Sequence, residues 1–245
     1  MAEQRRVALV TGGAKRVGRA IVERLAAIGC DVAFTYLSSE TEAAQLRGDV
    51  EQAHGVTAIA IRADLSDPTT AAETIDHELR QRFGRLDILV NNASLWLPAR
   101  LADTTIQTTR KVWAVHVESP LLLCKTFADR LRTARGQVIN MVDLLAERPW
   151  PEYLAYCASK AALANLTLGI ARELAPDVTV NGIAPGVVEW PDDYPAAERE
   201  KYLKRVPLRR AGTPEDVAYL IEYLVGKGTY VTGQIIRLDG GRSVT

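Results

Sequence analysis

A tyrosine and a lysine four residues apart, in Tyr156-Cys-Ala-Ser-Lys160, are the pair in this chain best suited to chemistry. That spacing puts the phenol and the ammonium on one face of a helix. A free phenol titrates near ~10, and a neighbouring Lys⁺ favours the phenolate and draws the pKa toward neutrality, as a general acid needs. A second feature, Thr11-Gly12-Gly13-Ala14-Lys15-Arg16-Val17-Gly18, runs from an apolar β-rich stretch into a helical one. Glycines at such a turn let backbone amides approach a pyrophosphate, and the helix N-terminus favours its negative charge. A dinucleotide on the loop and a proton donor beside it point to hydride transfer, with Tyr156 as the proton source.

The elements that must position these groups alternate along the chain. Apolar β-rich runs fall at Val7–Val10, Val32–Tyr36, Thr57–Ile61, Leu86–Val90, Gln137–Val142, Val178–Ile183 and Gln234–Leu238. Several are continuously apolar, as strands buried on both faces of a parallel sheet should be. Helical spacing covers Ala20–Ile28, Glu40–Ala53, Thr70–Phe83, Thr105–Arg132, Tyr153–Leu174 and Pro214–Val225. Gly29, Gly55 and Gly84 follow helical stretches as left-handed caps would, and Thr213-Pro214-Glu215-Asp216 reads as a helix start. The alternation predicts one doubly wound α/β domain over residues 1–245.

Composition closes off other classes. The 245 residues are 47% hydrophobic and 24% charged, and 30 basic residues balance 30 acidic ones, so no net field draws the chain to nucleic acid or a membrane surface. The opening residues hold no apolar run long enough for a signal peptide, and no stretch is expected to span a membrane. Cys30, Cys124 and Cys157 are widely spaced and odd in number, which suits a reducing, cytoplasmic setting and neither a disulfide framework nor a metal site.

The loop also suggests which dinucleotide binds. An NAD site usually ends the second strand with a carboxylate for the ribose hydroxyls. Here the strand ends Thr35-Tyr36-Leu37-Ser38-Ser39, with no acid before Glu40. Lys15 and Arg16 instead offer cations for a 2′-phosphate, and Ser38 and Ser39 offer hydroxyls, so NADPH is the expected cofactor.

TGGAKRVG, NNAS at residues 91–94, YCASK, NGIAPG at residues 181–186 and LDGG at residues 238–241 together resemble the short-chain dehydrogenase/reductases, over essentially the whole chain and in the family's order. The resemblance implies a Rossmann-type domain with a seven-stranded parallel sheet flanked by helices, usually tetrameric. It also implies that Gly12, Val17, Gly18, Asp64, Leu65, Asn91, Asn92 and Ala93 line a cofactor cleft. By the same resemblance Lys160 holds the nicotinamide ribose, and Pro185 and Gly186 sit beside the carboxamide.

Three positions depart from the common pattern. Asp143 stands where a serine is usual, Arg16 replaces the middle glycine of the loop, and His116 replaces an asparagine, which puts the family's proton-relay water in doubt. An ionised carboxylate accepts hydrogen bonds only, so Asp143 cannot polarise a carbonyl as a hydroxyl does. The loop Arg, this Asp and an aromatic two residues after NNAS resemble the pteridine reductase branch. That implies a pterin stacked on Trp96, with Arg16 and Ser94 at its polar edge and Asp143 acting with Tyr156 and Lys160 as the catalytic set. Residues 186–212, rich in Pro, Trp and acids, read as a substrate lid in which Trp190 closes over the substrate. A ketone or 3-oxoacyl-thioester reductase and a non-catalytic cofactor-binding scaffold are the competing readings.

Overall fold

Short apolar strands with a helix between each pair can bury both faces only by lying parallel in one sheet, and this chain does so. The computed structural model describes residues 5–191 and 194–245. Its strands are β1 (Val7–Val10), β2 (Asp31–Tyr36), β3 (Ala58–Arg62), β4 (Ile88–Asn91), β5 (Gln137–Met141), β6 (Thr179–Pro185) and β7 (Ile235–Leu238), ordered β3-β2-β1-β4-β5-β6-β7. Every pairing is parallel, with Ala8 beside Val32 on one side and Ile88 on the other. The helices are α1 (Arg16–Ala27), α2 (Glu40–His54), α3 (Pro68–Arg82), α4 (Ile106–Trp113), α5 (Ser119–Ala134), α6 (Leu154–Leu174), α7 (Ala196–Leu203) and α8 (Pro214–Gly226).

Side-chain alternation divides the core between the two faces. Ala8 and Val10 of β1 share one cluster with Ile21 and Leu25 of α1 and with Ile221 and Val225 of α8. Val7 and Leu9 share the other with Leu79 of α3, Phe127 of α5 and Leu174 of α6. Chain order reverses between β1 and β4, which opens a crevice at the carboxyl ends of the strands.

Two expectations need correction. The stretch Thr105–Arg132 is not one continuous helix: a π-helical turn, Ala114–Glu118, separates α4 from α5. Pro120 lies in the first turn of α5, where it has no N–H to give and its ring crowds the carbonyl four residues back, so the chain widens locally instead. Second, α6 is by length and composition apolar enough to cross a membrane, with a mean hydropathy of 1.2 over its most apolar window. Its Leu163, Ile170 and Leu174 are buried, which accounts for much of that apolar character by packing on the sheet. The acids Asp192 and Asp193 of the expected lid lie outside the described residues.

Candidate active site

The glycine loop is shaped by close approach. A Cβ on Gly18 would lie 2.0 Å from the carbonyl oxygen of Gly12, and one on Gly12 would lie 3.0 Å from Cα of Ala93. Arg16 adopts φ 53°, a left-handed conformation that costs a non-glycine residue roughly 1–2 kcal/mol, where the family pattern has a glycine. The loop is stapled to the end of β4: Asn92 Nδ2 donates to the carbonyls of Thr11 (2.9 Å) and Gly12 (3.1 Å), and the Asn92 and Ala93 amides donate to Thr11 Oγ1. Thr35 Oγ1 accepts from the Gly12 amide at 3.0 Å. Thr11 and Thr35 were not singled out in the sequence, although a buried hydroxyl at a strand end is the signal that marks such staples.

Above this loop a cavity of about 550 Å³ runs from the end of β2 to the start of α6. Gly12, Lys15, Arg16, Val17, Gly18, Asp64, Leu65, Ala93, Ser94, Trp96, Asp143, Tyr156, Lys160, Pro185 and Gly186 all line it. Three groups of the expected set do not. Asn91 is buried in the sheet, where its Nδ2 donates to Asn140 Oδ1 at 2.8 Å. Ser38 and Ser39 are not among the lining residues, and Tyr36 and Leu37 line the cavity at the strand end. Trp190 packs on Tyr194 (ring centroids 4.8 Å) and edge-on to Tyr202 (5.4 Å), while its neighbours Glu189, Pro191 and Tyr194 reach the cleft. Direction in an irregular segment follows no period, so spacing could not have separated Trp190 from Tyr194.

Two ion pairs hold the loop cations. Lys15 Nζ lies 2.5 Å from Glu42 Oε1 on α2, and Arg16 Nε lies 2.8 Å from Glu189 Oε2 in the segment after β6. The second pair crosses the mouth of the cleft. Asp64 sits below the usual carboxylate range, because the Ser66 hydroxyl and amide donate to it.

At the far end, the Tyr156 hydroxyl donates to Asp143 Oδ2 at 2.7 Å, and the Leu145 amide donates to Asp143 Oδ1 at 2.8 Å. Burial raises the pKa of Asp143. Burial, and then the negative charge of Asp143, raise Tyr156 well above its ordinary value. This corrects the expectation that Lys160 draws the phenol down: in the protein alone the carboxylate holds the phenol in its protonated form. The Lys160 ammonium donates instead to the Met141 carbonyl at 2.7 Å, and burial lowers its pKa to about 8.

His116, in the π-helical turn, is fully engaged. The Leu95 amide donates to Nε2 at 3.0 Å, so the neutral ring carries its hydrogen on Nδ1, which donates to Ser159 Oγ at 2.8 Å. Ser159 passes a hydrogen bond to the Tyr156 carbonyl, and Ser94 Oγ reaches Nε2 at 3.0 Å. Burial, then the nearby Lys160, push the imidazole pKa down to about 2. The ring ties the loop after β4 to α6 as a neutral brace, with no nitrogen left for a relay water. Trp96 lies 4.1 Å from Tyr153, nearly parallel, and 4.6 Å from Tyr156, edge-on. Tyr153 was missed, although it stands three residues before Tyr156 and so near the same face. Among the described residues no cluster of His, Cys, Asp and Glu suits a metal ion.

The chain that forms this cleft, with no room for a Cβ at Gly18, an opening at a strand reversal and a Tyr-Lys pair, matches one family model. That model, described as enoyl-(acyl carrier protein) reductase, matches residues 12–243. The chain belongs to the short-chain dehydrogenase/reductase family. It is accordingly a nicotinamide-dinucleotide-dependent oxidoreductase. Pteridine reductase 1 of Leishmania tarentolae is 32% identical over 98% of this chain and 96% of its own. L-2,3-Butanediol dehydrogenase of Corynebacterium glutamicum is 33% identical over 96% and 98%. The crystal structure of a short-chain dehydrogenase from Burkholderia cenocepacia in complex with NADP superposes with a TM-score of 0.91 at 35% identity, covering 98% of each chain. The solved structure shares the fold, and the names of the other two point to different substrates.

Proposed function

We propose that this reductase uses NADPH to reduce a planar, partly unsaturated nitrogen heterocycle of the pterin or dihydrofolate type. The observation that carries this reading is the 2.7 Å hydrogen bond from the Tyr156 hydroxyl to Asp143, in a cleft walled by Trp96. A carboxylate beside a developing oxyanion raises the barrier to ketone reduction, whereas beside a ring nitrogen it can help to supply a proton. The 32% identity to a protein named pteridine reductase 1 supports the same choice.

The glycine loop, Asp64, Leu65, Ala93, Pro185 and Gly186 would hold the dinucleotide, with Lys15 and Arg16 on its 2′-phosphate. When bound, its reduced nicotinamide supplies hydride. Tyr156 gives its hydroxyl proton to the substrate nitrogen; the Asp143 carboxylate, whose pKa burial raises, then takes up a proton from solvent and passes it to the phenolate, which restores the starting pair. Lys160 spends one ammonium hydrogen on the Met141 carbonyl and has two left for the ribose. Ser94 and Trp96 face the substrate. The chain is proposed to act as a single domain in the cytoplasm, with residues 186–212 as the lid. A homotetramer is the proposed assembly, since α5 and α6 leave Leu121 and Leu168 exposed at 48% and 41%.

One assay tests the substrate class. NADPH oxidation is followed with dihydrobiopterin, dihydrofolate, a panel of ketones and an acetoacetyl thioester. Turnover of the two pterins is expected, and turnover of ketones or the thioester alone would overturn the reading. Tyr156→Phe should abolish turnover while NADPH binding, read by fluorescence, stays within about threefold of the parent.

A further inference from the structure

Behind Asp143 the cleft continues into a recess of about 60 Å³, whose wall shares Trp96, Asp143, Trp150 and Gly186 with the main cavity. Its other wall brings in Arg148, Tyr202 and Arg242. Hydrogen-bond donors converge here without matching acceptors. Arg242 Nε is buried and has no partner, and the Arg242 Nη1 contacts to Thr245 are long, at 3.4 Å. The Tyr202 oxygen accepts from the Val187 amide at 3.2 Å, and no acceptor among the described residues takes its own hydrogen. Arg148 is tied to the carbonyls of Ser243 and Thr245, and among the described residues no acidic side chain pairs with either arginine. Asp143 is the one acid in the wall, and both its oxygens are already engaged, by the Leu145 amide and the Tyr156 hydroxyl.

A buried guanidinium N–H left without an acceptor is costly, and a hydrogen bond to a charged group is worth more than one to a neutral group. A ligand oxygen carrying negative charge answers both. We propose that this recess is a carboxylate subsite of the substrate cleft, where Arg242 Nε and the Tyr202 hydroxyl bind the anionic end of a planar aromatic substrate. The inference rests on reading the main cavity as the substrate cleft and narrows the substrate class to molecules that bear an acid beyond the ring. Arg148 lines the same recess, so two guanidinium groups stand beside Asp143 there. A carboxylate fits a volume of this size, and a second ring does not.

Direct binding tests this without turnover, so its outcome is separable from that of the pterin assay. Tryptophan fluorescence of the protein, alone and with NADP⁺, is titrated with 4-aminobenzoate and with 4-aminobenzamide. These probes match in ring and size and differ in charge. The parent should prefer the carboxylate by about tenfold or more, the scale of one charge-assisted hydrogen bond. Arg242→Gln should bring the two affinities within about twofold, and Tyr202→Phe, which removes only the hydroxyl, should cut the preference part-way. Equal affinities in the parent, no binding of either probe, or a preference that survives both substitutions would each overturn the proposal. Should Arg242→Gln fail to fold, the Tyr202→Phe comparison decides alone.

Discussion

Asp143 and Tyr156 share a hydrogen where most of the family places a serine hydroxyl, and that exchange reverses the electrostatics of the proton donor. A serine would donate to a carbonyl, whereas Asp143 accepts from the phenol and keeps it protonated. A carboxyl whose pKa is raised holds its proton to higher pH than a free one. Proton supply should therefore be complete at low pH and fail as pH rises through the value shared by the pair. Asp143→Ser should lower kcat for the dihydropterin by about a hundredfold and remove that limb from the plot of kcat against pH. An unchanged profile would mean that Asp143 takes no part. Lys160 carries a stability consequence of opposite sense. Its folded pKa, about 8, lies below the ordinary 10.5, so the unfolded chain binds the proton more tightly and stability rises with pH between those values. The penalty is present in full at neutral pH and amounts to roughly 3 kcal/mol at most. Lys160→Met should accordingly raise Tm by several degrees at neutral pH while abolishing activity. A thermal melt at or below that of the parent would refute it.

At the level of elements, the strands could be read because most are short apolar runs between polar turns, a composition that burial on both faces demands of the central ones, while the edge strands β3 and β7 are only partly buried. The helices were read from their period, and α1 starts four residues earlier than its apolar spacing suggests because Arg16, still in the glycine turn, is also its first residue. The π-helical turn could not be read that way. One extra residue in a turn barely disturbs an apolar stripe, yet it turns His116 inward, where Nε2 meets the Leu95 amide and Nδ1 meets Ser159. Pro120 was the available signal, since a proline within a helical run must change the hydrogen bonding of the preceding turn. Pro120→Ala restores the missing N–H and permits regular α winding, which rotates His116 away from the loop that carries Ser94 and Trp96. Activity should fall about tenfold, a loss within reach of an ångström of misplacement, with little change in Tm. Retained activity would show that the brace does not depend on the π-helical turn.

Across the whole molecule, charge balances at 30 basic and 30 acidic residues, so no long-range field gathers an anionic cofactor and its recognition is left to local pairs. Those pairs join distant parts of the chain. Lys15 meets Glu42 at the start of α2, and Arg16 meets Glu189, 173 residues away, beyond β6. A dinucleotide phosphate must compete with both carboxylates, and the pairs are exposed enough for salt to weaken them as well. If the cations serve the 2′-phosphate, Lys15→Ala/Arg16→Ala should weaken NADPH binding by about tenfold or more and NADH binding by less than threefold. Raising the salt concentration should weaken NADPH binding to the parent and leave the double variant nearly flat. Glu189→Gln separates a phosphate role from a hinge role. Freed of its competitor, Arg16 should bind NADPH more tightly with NADH unchanged, whereas a cation that only fastens the lid would let both cofactors bind less well. Equal losses of NADPH and NADH in the double variant would remove the 2′-phosphate from the account and leave the Arg16–Glu189 pair as a structural tie between the two halves of the sheet.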